Sequence, residues 1–159
     1  MTDVASQQPS SQRPQTAATI AGIMRPPLTT VVPNDHVAAA AYLMKHAGAT
    51  ALVIVDAQTG KPVGIITETD IAHAVADGKD PNEVRIHDLM TAGPVVIDAT
   101  TSIRAAAQTM TEARFRHLPV VSESGLVGMV DITDVCRALL DPDLSRLPAD
   151  PAGARSGTS

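Results

Sequence analysis

Apolar residues recur along this chain with two different periods. Val37, Ala40, Ala41 and Met44 stand at i, i+3, i+4 and i+7, the stripe of an amphipathic helix. Two β-branched runs follow, Ala51–Val55 and Pro62–Thr67, separated by AQTGK, and a short glycine-containing loop between such runs predicts a hairpin. A second helix is expected from near Asp70 to Gly78. The whole order then returns. Ile103, Ala106, Ala107 and Met110 form a helical stripe, Leu118–Val121 and Leu126–Val130 flank SESG, and a last helix runs from near Asp134 to Pro142. A short helical turn opens each copy and ends at Met24 or Met90, where Pro26–Pro27 or Gly93–Pro94 breaks it. Brief β-prone runs come next, Thr29–Val32 and Val95–Asp98, and Asp35 and Thr101 stand where a helix cap belongs.

The two copies hold a fixed register. Met24, Val31, Val37, Met44, Leu52 and Val55 return 66 positions later as Met90, Ile97, Ile103, Met110, Leu118 and Val121. Val63, Gly64, Asp70 and Ile71 return 64 positions later, so the two missing residues fall inside the hairpin turn, where a length change is tolerated. The pattern predicts an α/β (α+β) fold of two β-α-β-β-α repeats packed about a pseudo-twofold axis, because neither half alone offers enough apolar surface. The expected divisions are a disordered tail over 1–18, repeat one over 19–78, a polar linker over 79–85, repeat two over 86–140 and a second disordered tail over 141–159.

Composition narrows the function classes. Phe115 and Tyr42 are the only aromatic residues and the net charge is −5 without a basic cluster, which argues against nucleic-acid binding. No run approaches the length of a membrane span and the polar start has no apolar signal core, so the expectation is a cytoplasmic protein off the membrane. Cys136 is the only cysteine and reads as a small buried hydrophobe on the apolar side of the last helix. His36, His46, His73 and His87 have no metal-ligand spacing and read as surface groups, and no catalytic constellation or phosphate-binding glycine loop is present.

The segments IAGIM and IHDLM, ALVIVDAQTGKPVGIITETDIA, and RHLPVVSESGLVGMVDITDV resemble a tandem of CBS domains, a Bateman module. The resemblance covers 20–140 and leaves no other domain, as in a stand-alone pair. It implies a regulatory sensor of an adenosine-containing ligand (AMP, ADP or ATP) held in clefts between the repeats, with no catalytic cofactor, a homodimer, and an unknown protein partner that reads the occupancy.

Two clefts follow from that resemblance. The main one joins Gly64, Ile65, Thr67 and Asp70 to Val95, Val96, Arg116, His117 and Pro119. Asp70 suits the two donors of a ribose diol, Thr67 and the helix start suit phosphate, Arg116 and His117 supply cationic character, and Ile65, Val95 and Val96 wall the base. The weaker one joins Thr30, Thr50, Ala51, Asp131 and Asp134. Here Asp131 replaces the threonine of the first copy and no cation stands at the strand start, so a phosphorylated ligand is expected to bind poorly. T-x-x-D and D-x-x-D also serve as plain helix caps; the repeat-level match favours the ligand role for the first cleft, and capping stays the better reading for the second. The expected function is nucleotide sensing without catalysis; the alternative is a structural or adaptor homodimer with empty clefts.

Overall fold

The computed structural model describes residues 18–27 and 31–140; Thr29, Thr30 and both expected tails beyond Ala18 lie outside the described residues. The chain forms α1 (Val37–Ala47), β1 (Ala51–Val55), β2 (Pro62–Thr67), α2 (Glu68–Ala76), β3 (Thr91–Ala92), β4 (Ile97–Asp98), α3 (Ile103–Ala113), β5 (His117–Ser122), β6 (Gly125–Asp131) and α4 (Ile132–Leu140). Short 3-10 turns at Ile20–Gly22 and Ile86–Asp88 open the copies. The strands make two sheets, ordered β1-β2-β3 and β4-β5-β6. In each, a central hairpin pairs antiparallel, with Leu52 opposite Ile66 and Leu118 opposite Val130. β4 runs parallel to β5, and Val31 makes the matching parallel bridge to Ile54.

The leading segment of each repeat crosses to the other. β3, from the second copy, pairs with β2 of the first, and Arg25, from the first, bridges Met129 in β6. Ile86 is fully buried among Val37, Met44, Ile54 and Ile66; Ile20 is fully buried among Ile103, Met110, Leu118 and Val130. Each core is thus completed by a side chain from the other copy, which ties the halves into one unit. The sequence period identifies the copies but not this exchange.

The exchange explains the repeated glycines. A Cβ on Gly64 would lie 2.7 Å from Met90 Sδ, and a Cβ on Gly128 would lie 2.6 Å from the Arg25 carbonyl oxygen. A thioether can swing aside and a backbone carbonyl in a sheet bridge cannot. Gly128→Ala is therefore expected to destabilise by about 1–3 kcal/mol and Gly64→Ala by less. Denaturant midpoints of the two variants check the order; a neutral Gly128→Ala contradicts the close crossing.

Four local expectations are corrected. The caps fall one residue later, at His36 and Ser102; the Ser102 hydroxyl accepts from the Ala105 N–H, while Asp35 accepts from the Val32 N–H. His36 gives no side-chain cap, and the 79–85 linker takes over: the Val84 and Pro81 carbonyls accept from the Val37 and Ala38 N–H groups. His36 is half-buried, not a surface group, and its Nδ1 is enclosed without a hydrogen-bond partner among the described residues. Cys136 is exposed, because α4 turns Val135 and Ala138 inward instead.

Candidate functional site

Two pockets lie side by side between the repeats, with volumes of about 360 and 260 Å³. Thr50, His117 and Asp131 line both and form the wall between them. His117 Nε2 is 2.9 Å from Thr50 Oγ1 and 3.0 Å from Asp131 Oδ2. Burial pulls the imidazole below its ordinary value; Asp131 opposes that shift and Arg116 adds to it. The ring is therefore neutral near pH 7, and since a carboxylate only accepts, it donates from Nε2 to Asp131.

This shift fixes a pH dependence. The unfolded chain binds the proton near 6.5 while the folded chain resists it, so stability is complete above that value and declines as pH falls below it. Melting temperature is expected to drop on acidification below about pH 6.5, and His117→Gln to flatten that part of the profile. A wild-type profile that stays level there contradicts the assignment.

The larger pocket gathers Ile65, Thr67, Asp70, Val95, Arg116 and His117. Gly64, Val96 and Pro119 do not line it. Gly64 is pressed against Met90, Val96 is turned to solvent, and Pro119 is enclosed in β5 opposite Met129. Thr67 and Asp70 form a capping box at the start of α2. Asp70 Oδ2 accepts from both the Thr67 N–H and hydroxyl at 2.8 Å, and Thr67 Oγ1 accepts from the Asp70 N–H. The Thr67 hydroxyl proton is thus committed to Asp70. Asp70 Oδ1 has no partner among the described residues, so capping and ligand binding draw on different oxygens of one carboxylate.

The smaller pocket differs in charge and in its acid. Thr50, Ala51 and Asp131 line it; Thr30 lies outside the described residues, and Asp134 does not line it. Asp134 is 8% exposed, and both of its oxygens are held by Arg25, from Nε and Nη2, at 3.0 Å. Arg137 Nη1 adds a contact at 3.5 Å. The hydrogen bonds and charge of Asp134 raise the Arg25 pKa above its ordinary value. The expectation of no local cation is corrected, since Arg25 lines this pocket, but its fork is already occupied by Asp134. Asp131 accepts from the Thr133 N–H at 2.6 Å and is the acidic residue of this pocket's lining.

Several lining residues of the larger pocket were not anticipated for it: Thr50, Glu68, Thr69, Thr91, Gly93, Pro94, Arg114, Phe115 and Asp131. Two carried a signal. Phe115 is the only phenylalanine in the chain and directly precedes Arg116. Arg114 occupies the place that Gly48 holds 66 positions earlier. Phe115, Pro94, Val95 and Ile65 together give the pocket an apolar wall suited to a flat heterocycle.

Comparison with known proteins places this geometry. The CBS domain family matches residues 20–77 and 86–141, and the chain belongs to that family, with two such domains in tandem. An uncharacterized protein of Methanopyrus kandleri is 30% identical over 121 residues, covering 75% of this chain and 61% of that one, so the chain spans less than two-thirds of that relative's length. Among solved structures, the CBS domain pair of protein MJ0100, in complex with 5'-methylthioadenosine and S-adenosyl-L-methionine, superposes with a TM-score of 0.71 at 28% identity over 79% of this chain and 98% of that one. CBSX2 from Arabidopsis thaliana, in complex with AMP, gives a TM-score of 0.64 at 28% identity over 79% of this chain and 98% of that one. Among the described residues no helix is long and apolar enough to cross a membrane.

Proposed function

We propose that this CBS pair is a regulatory module that binds an adenosine nucleotide in the larger pocket and performs no catalysis. The observation that carries the reading is the pocket's chemistry. Asp70, whose Oδ1 has no partner among the described residues, lines the same pocket as Arg116, the start of α2, and the apolar group Ile65, Val95 and Phe115. Those are partners for a ribose diol, a phosphate and a base in turn. Solved relatives hold AMP, or 5'-methylthioadenosine and S-adenosyl-L-methionine, which supports an adenosine-containing ligand. At the smaller pocket the one lining arginine, Arg25, is already engaged by Asp134, so Asp131 is left unopposed there and the pocket contributes little to nucleotide binding. A cytoplasmic homodimer is the natural form of such a sensor: Val75 on α2 and Leu139 and Leu140 on α4 are exposed apolar groups for a helix-to-helix contact. The protein that reads the occupancy is a second partner.

Thermal melting with AMP, ADP and ATP tests this. A ligand at 100-fold its dissociation constant stabilises by about 2.7 kcal/mol, a rise on the order of 5–10 °C for a chain of this size. The adaptor reading, an empty-cleft homodimer, predicts no rise with any of them.

A further inference from the structure

The two copies end their first long helix in the same backbone conformation with different residues. α1 ends at Gly48, with φ of 63°; α3 ends at Arg114, with φ of 58°. Arg114 is the one non-glycine residue with positive φ among the described residues. There a Cβ crowds the following carbonyl, which is why glycine suits the position. Arginine is not among the side chains that visit this region readily. No ion pair among the described residues offsets its cost, and Arg114 is exposed.

What Arg114 does is line the larger pocket, together with Arg116. Both are exposed and neither has a carboxylate partner among the described residues, whereas Arg25 and Arg137 share Asp134. The charges facing the pocket are Arg114 and Arg116 against Glu68, Asp70 and Asp131, with His117 neutral. With Arg116 alone the lining charges would sum to −2, and Arg114 brings them to −1. The second arginine lessens the repulsion of a polyanion and adds a second fork for phosphate oxygens, a contribution that grows with each added phosphate.

We propose that Arg114 is a specificity residue for phosphate-chain length, so that the larger pocket takes a nucleoside di- or triphosphate in preference to the monophosphate. Arg116 and Arg114 divide the phosphate chain between them. This deepens the nucleotide reading above and rests on it.

Calorimetric titration of AMP, ADP and ATP into the wild type, Arg114→Gly and Arg114→Lys tests it. The wild type is expected to bind ATP more tightly than AMP. Arg114→Gly is expected to weaken ATP about tenfold and AMP by less than about threefold, with Arg114→Lys between wild type and glycine. The glycine variant, relieved of the left-handed arginine, should melt at or above the wild-type temperature, which separates lost binding from lost folding. Equal losses for AMP and ATP, or no loss, overturn the role of Arg114 and leave the nucleotide reading standing. If none of the three binds the wild type, the nucleotide reading falls and takes this inference with it.

Discussion

Replacing Arg116 with alanine is expected to weaken binding of AMP or ATP roughly ten- to hundredfold while leaving the free protein's melting temperature nearly unchanged. The size follows from a charge-assisted hydrogen bond to phosphate, about 1.5–3 kcal/mol, at about 1.4 kcal/mol per factor of ten. The unchanged stability follows from position: Arg116 is exposed and pairs with no carboxylate among the described residues. Asp70→Ala should abolish binding, with a different signature. It removes the capping box at α2 as well and should cost about 1 kcal/mol of stability. Titration calorimetry gives the affinities and urea unfolding the stabilities. Full nucleotide affinity in Arg116→Ala would move the phosphate out of the larger pocket.

The second large effect is on stability. Arg25→Ala strips Asp134 of its two-pronged partner and leaves a nearly buried carboxylate with only Arg137 at 3.5 Å. The backbone bridge from residue 25 to β6 is available to alanine as well, so the loss is that of the side-chain pair. Breaking a buried pair from the side that strands the charge is costly, and with the Arg25 end solvated the expected loss is about 2–3 kcal/mol. Asp134→Asn frees Arg25 into water, since that side chain is 60% exposed, and should cost less, about 1 kcal/mol. Chemical denaturation of both variants checks the order. Asp134→Asn should leave nucleotide affinity in place; if it is the change that abolishes binding, the ligand sits in the smaller pocket.

Much of the fold was legible because it rests on local periodicity. The helical stripe at Val37, Ala40 and Met44 and the hairpin across 56–61 need only neighbouring residues to be recognised, and the repeat confirmed each element with its copy. The exchange of leading segments was not legible. Ile20 and Ile86 are equivalent under the 66-residue register, so a pattern search assigns either to either core; Gly64 and Gly128 mark the crossing, but a glycine in a strand has several meanings. β3 was missed because its two residues adjoin Gly93 and Pro94, which read as breakers.

The site was legible in part for the same reason. T-x-x-D and the Arg116–His117 pair stand out as sequence, and the fold brings Thr67, Asp70, Arg116 and His117 to one pocket. Whether a carboxylate is open or engaged is a tertiary property. Asp70 and Asp134 occupy equivalent positions, yet one keeps an oxygen without a partner and the other is closed by Arg25, whose counterpart in the second copy is Thr91. That substitution, arginine for threonine 66 positions apart, closes the second acid and adds to the asymmetry set by Asp131 and by Arg114 and Arg116.

The most direct test of the account is the stoichiometry of nucleotide binding to the unmodified protein, measured by calorimetric titration with AMP and with ATP. The account predicts one site per chain, abolished by Asp70→Ala and retained in Asp134→Asn. Two equal sites per chain, or no heat and no saturation with either nucleotide, would contradict it.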